Sequence, residues 1–140
     1  MRATADSSVV VAALASWHEN HAAARASVKK TDFVIAHVLA ETFAVFTGFP
    51  PPNRVPVNAA AAALADLTRE RDIVEVDSST YIDLIAIAEE QGIVGSAIYD
   101  ALIGATARRH KAALFSLDTR ARSMYDVLDV EVEFVGESAR

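Results

Sequence analysis

The chain contains no cysteine. Disulfides, zinc–thiolate sites, iron–sulfur clusters and a cysteine nucleophile are therefore excluded, and any metal site must use oxygen or imidazole donors. Positive charge is also scarce: 13 Lys and Arg stand against 19 Asp and Glu, a formal net charge of −6. That deficit argues against a protein that coats nucleic acid by bulk charge, but not against an enzyme that grips phosphate through cations held by acids. No apolar run approaches the roughly 18 residues that cross a bilayer, so no membrane partner is expected. Val9–Ala15 is apolar and its Ala13-Leu14-Ala15 resembles a signal-cleavage site. Yet only Arg2 precedes it with positive charge, and Asp6 intervenes, so the run reads better as a helix and a cytoplasmic location is expected. Neither a glycine-rich phosphate loop nor a G-x-S-x-G elbow is present. All 4 prolines fall within Phe49–Pro56, which must be an irregular loop.

What is there is enough for one folded unit. The 140 residues, 52% of them hydrophobic, suit a single domain spanning 1–140 with a proper core. Patterning predicts strands at Arg2–Ala5, Thr31–Ala36, Asp72–Val76, Ala112–Leu117 and Val130–Val135. Between them it predicts helices at Val9–Ser16, Trp17–Val28, Val38–Thr47, Val57–Glu70, Ser78–Gln91, Ser96–His110 and Arg120–Leu128. Ser7 or Ser8 and Ser78 are the expected helix caps, and Gly48 and Gly92 the expected stops. Strands alternating with helices imply an α/β fold: a mostly parallel central sheet of about five strands with helices on both faces.

Four acids stand out. An unpaired buried charge costs several kcal/mol, so acids in apolar surroundings need a reason. Asp6 ends the first strand and Asp118 follows the fourth. Asp100 lies near the start of a helix, and Glu41 is a lone charge among Val38, Leu39, Ala40, Phe43, Ala44 and Val45. Ligands of open α/β sheets bind outside the carboxyl ends of the strands, so these acids can converge at one edge and suggest a metal. Singly, each has a plainer role: a cap or turn for Asp6 and Asp118, a favourable charge at a helix start for Asp100.

The segments A-D-S-S-V-V-V, V-L-A-E-T-F-A-V, Y-D-A-L-I-G-A-T-A-R and L-F-S-L-D-T-R-A-R-S-M-Y resemble the PIN-domain nucleases, and in particular the toxins of bacterial VapBC toxin–antitoxin pairs. The likeness covers nearly the whole chain, and Y-D-A-L-I-G-A-T-A is its most specific piece. It implies a PIN-like fold and a ribonuclease dependent on Mg²⁺ or Mn²⁺, ions suited to all-oxygen sites. It places catalytic, metal-holding acids at Asp6, Glu41, Asp100 and Asp118, with substrate-binding hydroxyls beside the first and last acids at Ser7 and Ser116. It also implies an RNA substrate and a cognate antitoxin whose tail fills the groove. Asp126 departs from the more basic pattern of the family.

Arg108, Arg109, Lys111, Arg120 and Arg122 surround the Asp118 strand in sequence, and Arg120 and Arg122 are the better candidates to guide an RNA backbone. For Arg108 and Arg109 a solvated helix end is the plainer reading. Ala59–Ala63, with Phe46 and Phe49, offers surface for an antitoxin groove or a homodimer, or else a piece of core. His18 and His21 stand three apart but do not form H-E-x-x-H, so a solvent-facing pair is expected. His37 and His110 read as surface or capping residues. Two alternatives compete with the nuclease: a catalytically silent PIN-like binding module, and a metal-dependent phosphatase, which Ser8 disfavours by standing where a second acid is needed.

Overall fold

Parallel pairing sets the frame of the chain, whose computed structural model describes residues 1–136. One sheet has the order β1 (Arg2–Ala5), β4 (Ala112–Ser116), β5 (Val132–Phe134); a second pairs β2 (Phe33–Ile35) with β3 (Asp72–Val74). The five expected strands are therefore present, each shorter than or equal to its predicted span, but the ladder is interrupted between β1 and β2. Other bonds bridge that seam. The Asp32 N–H donates to the Ala3 carbonyl, the Ala3 N–H to the Asp32 carboxylate and the Thr4 hydroxyl to the Phe33 carbonyl, each at 2.8 Å. Buried backbone groups must be paired, and here side chains supply what the ladder omits.

The helices are α1 (Ser7–Leu14), α2 (His21–Val28), α3 (Ala36–Gly48), α4 (Val57–Thr68), α5 (Ser78–Gln91), α6 (Ala97–Arg109) and α7 (Arg122–Val127), with a 3-10 turn at Thr119–Ala121. In α1, Val9 to Ala13 are all buried. A helix apolar all round belongs in a core, which accounts for the run that resembled a leader.

Three local expectations need correction. Trp17–Asn20 is a turn and not the start of α2. There the Asn20 N–H donates to His18 Nδ1 at 3.0 Å, a side chain competing with helical bonding. Gly48 does not stop α3 by a left-handed turn; the chain leaves the helix at Phe49, extended at φ −60° and ψ 144°, because Pro50 disfavours helical geometry in the residue before it. The caps of α1 and α5 are acids, Asp6 and Asp77, and not the serines after them. Gly92 does end α5 as expected, with φ 73°.

The alanine run splits its duties. Ala60 packs with Val11, Ala15 and Phe46 in a small second core, while Ala59, Ala61 and Ala62 are exposed. In the main core, α6 contributes Ala101, Leu102, Ile103 and Ala107. Gly104 lets α7 approach: a Cβ there would lie 3.0 Å from Tyr125 Cδ1 and 3.2 Å from Leu128 Cδ1. Gly104→Ala gains about 1 kcal/mol of helix propensity but incurs an overpacking cost of about 1–3 kcal/mol. Because Tyr125 is fully enclosed, the cost should win, and thermal melts should show a lower Tm. A Tm at or above the parent's would mean that α7 shifts freely.

Candidate active site

The parallel register brings the first and last acids to one edge. Ala5 of β1 sits opposite Phe115 of β4, and the Asp6 N–H donates to the Phe115 carbonyl at 3.0 Å. Asp6 therefore emerges beside Ser116, with Asp118 two residues further on. Asp6 caps α1 by accepting the Val9 N–H at 3.2 Å. Its carboxylate also accepts from the Ser8 hydroxyl, from the Tyr125 hydroxyl at 3.3 Å and from the Ser116 hydroxyl. Asp6 is nonetheless so deeply buried that its carboxyl is pushed above the usual range, burial outweighing those hydrogen bonds.

Asp100, in the first turn of α6, is half-buried, and its carboxyl is raised by burial, then by Asp6 and by Asp118, against the pull of Arg120. Glu41, inside α3, is pushed up to about 7 by burial, then by Asp100 and by Asp6. Glu41 thus lies in the fields of Asp100 and Asp6, and Asp100 in those of Asp6 and Asp118. Unit charges about 5 Å apart would repel by roughly 3 kcal/mol at an effective dielectric near 20. Glu41 Oε1 is shielded and reached by no hydrogen-bond donor among the described residues; His37 Nε2 stands 3.6 Å away, outside hydrogen-bond range. His37, expected to be an ordinary surface or capping residue, faces the candidate acid Glu41 and stacks on Tyr99.

An open pocket of about 440 Å³ lies at this edge, with Asp6, Asp100 and Asp118 on its acidic side and Ser7, His18, Asn20 and Val45 among its other lining residues. Asp118 accepts the Arg120 N–H at 3.2 Å and pairs with Arg120 Nε at 3.0 Å. Ser7 lines the pocket, whereas Ser116, expected on the substrate side, is fully buried. It receives the Asp118 N–H at 3.1 Å, so it stands behind the carboxylates and braces them. Arg122 lies with its guanidinium over the Phe134 ring, 4.2 Å from the centroid. Arg108 pairs with Asp129, and Arg109 with Asp77 and Asp83.

Two bracing groups escaped the sequence reading. Ser8, read as a possible helix cap and as the place of a missing acid, instead holds Asp6 and also accepts the Leu117 N–H at 2.9 Å. Tyr125 is brought to Asp6 only by the close approach at Gly104, and a glycine inside a helix motif was the available signal.

The sequence pattern of the PIN domain matches residues 3–127. The chain belongs to the PIN-domain family. Among curated proteins it is 42% identical over 130 residues to ribonuclease VapC40 of Mycobacterium tuberculosis, covering 93% of this chain and 96% of the relative. It is 33% identical over 128 residues to ribonuclease VapC27 of the same organism, covering 91% and 92%. In structure it resembles VapC20 of that organism, a sarcin–ricin-loop-cleaving toxin, with a TM-score of 0.69 at 20% identity over 86% of this chain and 93% of that one. FitAB bound to a DNA fragment gives a TM-score of 0.65 at 21% identity over 93% and 92%. This PIN-domain protein is thus a VapC-type ribonuclease, the toxin class of toxin–antitoxin systems, on the α/β fold expected.

Among the described residues no group of three or more histidine or acidic side chains is gathered tightly enough to hold an ion by itself. The donor set still fits Mg²⁺ or Mn²⁺. Such ions prefer hard oxygens, and Mg²⁺ keeps several waters while taking one or two carboxylates. The shielded, donorless Glu41 Oε1 is where a cation would relieve the acids.

A pH dependence follows for the ion-free PIN domain. The Glu41 carboxyl has a folded value of about 7 against an ordinary 4.5. Ionising it costs the fold nothing below pH 4.5, costs more as pH rises toward 7, and costs a constant amount above. With chelator present, Tm should therefore fall between pH 5.5 and pH 8, and Glu41→Gln should flatten that fall. Identical falls for parent and variant would place Glu41 outside the shared field.

Proposed function

We propose that this PIN-domain ribonuclease is a Mg²⁺- or Mn²⁺-dependent endonuclease that hydrolyses RNA at Asp6, Glu41, Asp100 and Asp118, in the cytoplasm, under the control of a cognate antitoxin. The observation that carries this reading is an open pocket lined by Asp6, Asp100 and Asp118 at one sheet edge of a ribonuclease fold, with Glu41 close enough to be raised, after burial, by Asp100 and Asp6. Asp6, Glu41, Asp100 and Asp118 would hold the ion, Asp6 with an orientation fixed by its four donors. A bound divalent cation supplies Lewis acidity to the phosphodiester and lowers the pKa of water. The residues of the chain do the positioning. Asp100 and Asp118 face the pocket, Ser7 offers a hydroxyl at its wall, and Ser8, Ser116 and Tyr125 keep the Asp6 carboxylate from turning. Arg120, 92% exposed at its side chain while paired with Asp118, is placed to exchange that partner for a phosphate, with Arg122 following it along the backbone path.

Asp6→Asn, Glu41→Gln and Asp100→Asn should each lower RNA cleavage by at least about 100-fold, the scale of losing an acid–base or charge-stabilising group. Asp118→Asn should be milder, because Asp118 is already shared with Arg120. Chelator should abolish cleavage and Mg²⁺ or Mn²⁺ restore it. An Asp100→Asn protein that cuts like the parent would refute the site.

The protein partners follow from the same surface. An acidic pocket walled in part by Val11 and Val45 suits an antitoxin segment with an apolar helix and an arginine reaching the acids. The exposed Tyr81, Ile82 and Ile85 of α5 support a homodimer through an apolar face. The product of an adjacent gene should copurify with the chain and suppress cleavage. A toxin left fully active in that complex would count against the pairing.

A further inference from the structure

The acidic pocket has a second wall of a different chemistry. His18 lines it, and Trp17, the residue before His18 in the chain, is 49% exposed. The Trp17 ring lies 5.3 Å from Phe49 in an edge-on contact at 75°, and 6.1 Å from His18 at 35°. Such contacts fix the indole while leaving half its surface open. His18 is equally defined: Nδ1 accepts the Asn20 N–H at 3.0 Å, so the ring proton of the neutral form sits on Nε2 and is available to donate. Asn20 also lines the pocket.

Resting on the nuclease reading above, we propose that Trp17, braced by Phe49 and flanked by His18 and Asn20, is a stacking subsite for an unpaired RNA base next to the scissile phosphate. Two features select a base over an aliphatic side chain. Aromatic faces bind any nucleobase by stacking, which requires no net charge, and this chain carries −6. The adjoining imidazole and carboxamide match the hydrogen-bonding edge of a base, and an aliphatic group would leave them unpaired. The subsite thereby restricts cleavage to single-stranded or splayed positions.

Trp17 is the sole tryptophan, so its emission reports on this subsite alone. Trp17→Ala should raise KM for a single-stranded RNA roughly 5- to 100-fold with kcat little changed, and Trp17→Phe should restore most of the loss. In Asp100→Asn protein, with binding followed by anisotropy of end-labelled RNA, the oligoribonucleotide should quench Trp17 emission. An abasic strand of equal length brought to the same anisotropy should not. A parent-like KM for Trp17→Ala, or bound RNA that leaves the emission unchanged, overturns the subsite. So does a Trp17→Ala protein that cleaves normally but loses the copurifying gene product, because the face would then belong to a protein. Failure of the parent to cleave any RNA would instead fell the nuclease reading, which the emission titration does not depend on.

Discussion

One buried carboxylate organises the working end of this molecule. Asp6 is 3% exposed, and a carboxylate taken from water without partners costs several kcal/mol. Its four donors come from three places: Val9 and Ser8 from α1, Ser116 from β4, and Tyr125 from α7. Satisfying one side chain therefore locates two helices and a strand relative to one another. The demand propagates outward. Ser8 receives the Leu117 N–H and Ser116 receives the Asp118 N–H, so the loop that carries the last acid is pinned by the hydroxyls that serve the first. Gly104 belongs to the same chain of causes, because any larger residue would press on the ring whose hydroxyl reaches Asp6.

The acids differ in how far they are enclosed, and the gradient sorts their roles. Asp6 is inside and fully partnered, so it gives direction. Glu41 and Asp100 are half-open and raised first by burial and then by neighbouring acids, Asp100 and Asp6 for Glu41, Asp6 and Asp118 for Asp100, so both are poised to gain from whatever neutralises them. Glu41 Oε1 is shielded from water without a donor, an arrangement that costs stability in isolation. Sites tuned for ligand are often destabilised without it, and here the strain is localised at the atoms that a cation would meet.

Much of this was legible in the sequence, for identifiable reasons. Glu41 was visible as a charge out of place in an apolar helix, and Asp6 and Asp118 as acids at the ends of strands, because pattern and period expose such conflicts. Gly92 was legible because a left-handed turn has few occupants. The caps were not, since Asp6-Ser7-Ser8 and Asp77-Ser78-Ser79 each offer adjacent residues of equal capping strength, and the choice is made where the backbone turns extended. The seam between β1 and β2 was hidden because period-2 patterning reports burial and not which neighbour is bonded. Tyr125 and His18 depend on contacts between residues distant in sequence, or on a turn that interrupts a helical pattern, and spacing alone carries neither.

An anionic polymer approaching this protein meets a net negative charge, and several of the basic side chains that could offset it are already held by other groups. Arg109 is held by Asp77, Asp83 and Ser79, Arg108 by Asp129, and Arg71 by the carbonyls of Val28 and Leu67 and the hydroxyl of Thr31. Long-range steering is therefore weak, and it decays within about 10 Å at ordinary salt. On the proposed reading, what remains would be short-range contacts: a cation shared between carboxylates and phosphate, an arginine that can leave Asp118, and aromatic surface. A grip of this kind releases few counterions, so it depends less on bulk salt than on the acids being loaded. It also discriminates. A duplex presents phosphates without open base faces, whereas a loop or single strand presents both, and only the latter engages the acidic and the aromatic walls together.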